Sequence, residues 1–137
     1  MPTSPVIPEL VYPSVPEAVE WLCATFGFTT RWVAGEHRAQ LAIGDSGVVV
    51  MAADGDDRAA PQAGIVTHGV MVRVRDVDAH HANTRTQGAR ILNDPTDFPY
   101  GERQYNVEDF AGHRWTFSQT IADVTPESWG GTTAIGA

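Results

Sequence analysis

The chain reads as an α+β fold, a single domain of two tandem βαβββ modules that together form a curved, cup-shaped mixed sheet. Three observations predict this. The first is a half-length repeat: Val15 matches Val77 at the helix starts, Gly27 matches Gly88 after the helix ends, and Gly47 matches Gly112 ahead of the last strands. The second is periodicity, which in each half passes from a strand to a helical stripe and then to three strands. The third is turn chemistry between those strands, such as Gly35-Glu36 and Gly44-Asp-Ser-Gly47 in the first copy. Copies of this length point to two stacked units that share one core. Module 1 then covers about residues 5–53, a linker 54–64, module 2 about 65–120 and a C-terminal tail 121–137.

The first helix is the clearest element. Val15, Ala18, Val19, Leu22, Cys23 and Phe26 repeat at i, i+3, i+4 and i+7, one buried stripe. Ser14 can cap it with Glu17 completing a capping box, Pro16 lies in the first turn where no donor is missed, and Gly27 ends it. Cys23 therefore belongs to the core face, a small buried hydrophobe. Strands follow at 29–34, 37–43 and 48–53 as an antiparallel meander, and the polar, aperiodic stretch 53–64 links the modules. In the second module a strand over 67–75 alternates Val70, Val72 and Val74 with Gly69, Met71 and Arg73, so its valines pack under the helix while Met71 and Arg73 turn to the concave side. Asp76 caps a helix running to Gly88. The proline-bearing stretch from Asn93 to Gly101 reads as a long loop presenting Phe98 and Tyr100. In the last strand Trp115 and Phe117 belong beneath the helices, and Arg114, Thr116 and Ser118 face the cup. The remainder reads as a tail in which Trp129 is the single large anchor.

Composition narrows the function. A chain of 137 residues is long enough for one sizeable core. A formal net charge of −8 argues against nucleic acid, whose phosphates need clustered Lys and Arg, and suits a neutral or cationic small ligand. A single cysteine excludes an internal disulfide and fits a cytoplasmic location. The opening MPTSPVIPEL has no basic segment followed by an apolar run, so no secretion signal is expected, and no apolar stretch is long enough to span a membrane.

Chemistry-bearing motifs are few. His80 and His81 are neighbours on a helix and diverge by about 100°, so they cannot share one ion; one is expected at the core edge, the other in solvent. No Gly-x-Ser-x-Gly elbow or phosphate-cradling loop is present, and the acidic cluster Asp54, Asp56, Asp57 reads as a solvated loop. The aromatic residues are the better lead. Trp32, Phe98, Tyr100 and Tyr105 lie in strands and loops around the expected cup, where Arg103 and Gln40 can orient ligand carbonyls. Trp32 reads equally as a core strand residue or as a pocket wall that stacks a planar ligand.

Asp76-Val-Asp78, Gly88-Ala-Arg90, Tyr100-Gly-Glu-Arg-Gln-Tyr105 and Asp109-Phe-Ala-Gly112-His-Arg-Trp-Thr-Phe117, set in the repeat, resemble the vicinal-oxygen-chelate superfamily over about residues 6–120. That superfamily holds glyoxalases, fosfomycin-inactivating enzymes, extradiol dioxygenases and bleomycin-resistance proteins. Its metal-dependent members carry His, Gln or Glu near the start of each first strand and Glu on each last strand. Those positions fall near Ile7, on His68 or Gly69, on Met51 and on Thr116. Met and Thr ligate hard divalent cations poorly. The resemblance therefore implies the metal-free, cofactor-free, non-catalytic branch: a homodimer that sequesters a planar aromatic antibiotic, of the bleomycin, mitomycin or quinoline-bearing peptide kind, away from its target. The expected ligand-binding residues are Trp32, Gln40, Met51, Met71, Phe98, Tyr100, Arg103, Tyr105 and Thr116. An enzyme of glyoxalase or dioxygenase type would need Glu9, His68 and Glu102 or Glu108 to converge. A metabolite-binding or carrier protein of a biosynthetic pathway is the third reading.

Overall fold

The structure, a computed structural model, describes residues 3–53 and 58–134. Module 1 consists of β1 (Glu9–Val11), α1 (Val15–Phe26), β2 (Thr29–Ala34), β3 (Arg38–Ile43) and β4 (Ser46–Met51). Module 2 repeats the order with β5 (Gly69–Arg73), α2 (Val77–Thr86), β6 (Arg90–Phe98), β7 (Glu102–Glu108) and β8 (Arg114–Thr120). Each module builds one four-stranded mixed sheet, ordered β1-β4-β3-β2 and β5-β8-β7-β6. In both, the first strand pairs parallel to the last and the remaining strands form the meander.

Local chemistry sets the element ends. The Ser14 hydroxyl accepts from the Glu17 amide at 3.3 Å, and Gly27 closes α1 at φ +80. Asp76 caps α2 by accepting from the Ala79 amide at 3.0 Å. That helix stops at Thr86 rather than at Gly88, which follows it at φ +79. Cys23 is half-buried at the margin of the core, with its sulfur 3.6 Å from the Thr30 hydroxyl. Of the inter-module linker, residues 54–57, and with them the acidic cluster, lie outside the described residues.

One face of each sheet is helix-covered. Leu10, Ala39, Leu41, Val48 and Val50 from module 1 and Val72, Tyr105, Val107, Trp115 and Phe117 from module 2 join α1 and α2 in a single core. Among the described elements, α1 and α2 are the pair whose backbones approach each other across the modules, and no strand of one sheet pairs with a strand of the other. Phe26 is the main bridge, its ring 5.4 Å from Trp115 and 4.8 Å from Phe117.

Two buried polar networks tie the modules together. Asp109, 4% exposed, accepts from the Tyr12 hydroxyl at 2.6 Å, the Trp115 indole at 3.0 Å and the amides of Ala111 and His113 at 3.1 and 2.9 Å. Burial first, and the Asp109 charge second, hold the Tyr12 proton well above the usual phenol range. In the second network His80 bonds the Phe26 carbonyl through Nε2 at 2.9 Å and the Tyr105 hydroxyl through Nδ1 at 2.6 Å. A carbonyl can only accept, so Nε2 carries the proton and Tyr105 donates to Nδ1. Neither helical histidine is left in solvent, contrary to expectation: His81 is also half-buried, edge-on to Tyr105.

The stretch from Asn93 is a further departure. It is the end of β6 rather than a loop, and the turn shrinks to residues 99–101. Proline is tolerated because β6 is an edge strand, and two register shifts between Ile91 and Thr96 absorb it.

Candidate functional site

The strands' other faces carry the candidate site. In module 2, register places Met71, Thr116 and Asn106 in one row and Arg73, Ser118 and Gln104 in the next, all opposite the helices. The neutral polar side chains of this face satisfy one another, and Arg73 adds its charge beside Glu102. Thr116 donates to Asn106 Oδ1, and Asn106 donates through both its amide groups to Asn93 Oδ1, at 3.1 and 2.7 Å. Gln104 donates to Ser118 Oγ at 3.0 Å, Ser118 donates to Glu102 at 2.7 Å, and the Tyr100 hydroxyl donates to Gln104 Oε1 at 2.9 Å. Burial alone would raise the Glu102 pKa. Hydrogen bonds from Thr120 and Ser118 and the Arg73 charge outweigh it, so the group lies below its usual range and is ionised at neutral pH.

An aromatic ladder stands at the β6–β7 end of this face. Phe98 and Tyr100 stack at 5.3 Å with an interplanar angle of 7°, and Trp129 meets Tyr100 edge-on at 5.8 Å. Met71 marks the opposite margin and is 64% exposed.

Module 1 presents Trp32, Gln40, Val49 and Met51 on its equivalent face. There the surface is largely covered: Ile7 and Ala60 pack on Val11, Val49 and Met51, and Arg58 approaches the Met51 sulfur at 3.1 Å. Gln40 is fully buried, while Trp32 on the edge strand β2 is 38% exposed.

Of the nine expected ligand residues, the structure brings Met71, Phe98, Tyr100 and Thr116 to one face of module 2, and Trp32, Gln40 and Met51 to the corresponding face of module 1. The two groups lie on separate sheets. The remaining pair sits on the helix side. Tyr105 is fully buried between His80 and Thr84, where burial pushes its pKa to about 12. Arg103 bridges Asp97 at 2.9 Å and Asp78 of α2 at 3.0 Å. The signal that separates them was in the strand itself. Glu102, Gln104 and Asn106 alternate with Arg103, Tyr105 and Val107, and the Val107 partner Trp115 is a core residue. Gln104, Asn106 and Asn93 went unnoticed because amides carry no periodic apolar signature.

The donor set does not fit a family metal. Ile7 and Met51 are packed apolar neighbours, Gly69 has no side chain, and the Thr116 hydroxyl is spent on Asn106. The histidine of that position, His68, lies instead in a cleft of about 210 Å³ beside His113, with ring centroids 6.0 Å apart. Glu9 pairs with Arg38 and Arg58 at 3.9 and 3.6 Å in module 1, and Glu102 accepts from Ser118 in the polar bed of module 2. Among the described residues no three His, Cys, Asp or Glu side chains gather as a metal would require. The same residues include no helix long and apolar enough to cross a membrane.

Paired βαβββ modules whose helix-free faces carry the variable chemistry define a class of small-molecule-handling folds. This chain belongs to the glyoxalase/bleomycin resistance protein/dioxygenase superfamily, whose family model matches residues 6–117. No curated protein matches it. Among solved structures, TioX from Micromonospora sp. ML1 is 33% identical, covering 86% of this chain and 99% of its own, with a TM-score of 0.71. A lactoylglutathione lyase from Agrobacterium tumefaciens is 16% identical (86% of this chain, 94% of its own, TM-score 0.67). The fosfomycin resistance protein FosX from Listeria monocytogenes is 12% identical (87% and 94%, TM-score 0.65). The last two show a shared fold alone.

Proposed function

We propose that this protein binds and sequesters a planar aromatic antibiotic without chemical change, as a self-resistance protein does. The observation that carries the reading is the helix-free face of module 2. Its neutral polar side chains are already paired with one another, so a flat ring can rest on them without stranding an unsatisfied donor, which would cost about 1–3 kcal/mol each. The ladder of Phe98, Tyr100 and Trp129 adds aromatic surface at its end, each stacking contact contributing about 0.5–1.5 kcal/mol beyond area burial. Apolar and hydroxyl side chains at the family's metal positions favour holding a ligand over polarising one.

The working unit in this reading is a homodimer. Trp32 and the Phe98/Tyr100 pair lie on different sheets that share no strand pairing within one chain. Isologous pairing of two chains would set the module 1 face of each against the module 2 face of the other and form two equivalent crevices. Titration of bleomycin, mitomycin and quinoline- or quinoxaline-bearing peptides into wild type and Trp32→Ala tests the reading. At least one should bind, and the loss of a stacking hot spot costs about 2 kcal/mol, some thirtyfold in Kd. If none binds, the sequestration reading is wrong. If Trp32→Ala binds as tightly as wild type, Trp32 is not part of the crevice.

A further inference from the structure

The C-terminal segment after β8 lies beyond the residues that match the family, which end at 117. It nevertheless packs back onto the candidate face. The amides of Ile121 and Ala122 both donate to the Gly101 carbonyl, at 2.8 and 3.2 Å. Gly101 has φ +83 and leaves no room for a side chain, because a Cβ there would sit 2.2 Å from the Ala122 carbonyl oxygen. Farther on, Pro126–Trp129 forms a 3-10 turn, latched by Glu127, which accepts from the amide and hydroxyl of Thr133 at 2.7 and 2.8 Å. The chain then reverses at Gly130, and Gly131 lies directly against the Trp129 ring.

This arrangement fixes an indole and leaves much of it in water. Tyr100 contacts two rings, Phe98 stacked parallel to it and Trp129 set at a steep angle in an edge contact. Trp129 is the end of the ladder and stays 43% exposed. Packed against Tyr100 and Gly131 yet 43% exposed, the indole has less side-chain freedom left for binding to remove than an unsupported one, which is the situation of an interface hot spot. Tyr100 places the ladder on the ligand side, since its hydroxyl reaches Gln104 in the polar bed.

We propose that the C-terminal segment is a selectivity element of this chain, and that Trp129 supplies the stacking surface that admits flat aromatic rings. This rests on the reading of the module 2 face as a ligand platform. Trp129 is then a binding residue contributed from outside the family module. Smaller or non-planar rings of equal hydrophobicity would gain little from it, because stacking needs a flat partner.

The test uses quinoxaline-2-carboxamide as probe, with cyclohexanecarboxamide as the non-planar control, titrated into the full chain by calorimetry and by quenching of tryptophan emission. Wild type should bind the aromatic amide in preference to the control. Trp129→Ala should weaken it about tenfold, a typical loss for one stacking partner. Trp129→Phe should stay within about threefold of wild type, because a smaller flat ring remains. Circular dichroism should match wild type in both variants. If Trp129→Ala binds the probe as tightly as wild type, or the control binds as well as the aromatic amide, the selectivity role is refuted while the platform reading stands. If wild type binds neither compound, the platform reading falls and this inference falls with it.

Discussion

Asp109→Asn should destabilise the fold by about 3–4 kcal/mol. In the native state one carboxylate oxygen takes the Tyr12 hydroxyl and the Trp115 indole, and the other takes two backbone amides. Asparagine is nearly the same shape. Its carbonyl can still accept from the two amides, but its NH2 group then faces two donors. Each hydrogen bond to a charged acceptor is worth about 1.5–3 kcal/mol, and two are lost at a buried site. Losses above about 4–5 kcal/mol from a single substitution are exceptional, which bounds the estimate from above. Tyr12→Phe removes one donor and leaves the carboxylate three partners, so it should cost about 1.5–3 kcal/mol. Combined with Asp109→Asn it should cost clearly less than in wild type, because its partner is already gone. Urea denaturation at fixed protein concentration, followed by circular dichroism, reads all three values. Strict additivity, or a loss below about 1 kcal/mol for Asp109→Asn, would show that the clamp between modules is not the source of stability argued here.

Three further outcomes are expected. Burial lowers the His80 pKa from its ordinary 6.5, although the Phe26 carbonyl opposes this; below about pH 6.5 the unfolded chain therefore takes up a proton that the folded chain resists. Stability should fall as pH drops from 7 toward 5, and His80→Gln should flatten part of that slope; an identical slope in both proteins would refute the assignment. Gly101→Ala should cost at least about 1–2 kcal/mol from its left-handed backbone alone, and release of the tail should red-shift tryptophan emission; unchanged emission and stability would refute the packing of the tail. Light scattering should report about twice the 14.8 kDa chain mass, and a monomer that still binds ligand would overturn the paired-crevice arrangement.

Much of the fold was legible because two periods alternate in the sequence. The α1 stripe, its Ser14 and Gly27 ends, and the valine side of β5 all follow from side-chain spacing. Trp115 and Phe117 were placed beneath the helices by the same parity, and the structure puts them there. Composition misled at β6, where Asp94, Pro95 and Asp97 imitate a loop while an edge strand with register shifts accommodates them. The site was less legible. Tyr105 carries an aromatic ring and a hydroxyl that suit a pocket, yet the β7 alternation commits it to the core beside His80. The packing of Trp129 on Tyr100 joins distant parts of the chain, and no local pattern reports where a tail will dock.

Sequestration without chemistry is tested most directly by what happens to the ligand. The compound bound most tightly in the titration panel should be incubated with stoichiometric protein, with and without EDTA, then released by denaturation and weighed by mass spectrometry. The account predicts saturable binding that EDTA does not alter and a ligand recovered at unchanged mass. A ligand recovered with altered mass, or binding that EDTA abolishes and added metal restores, would contradict it.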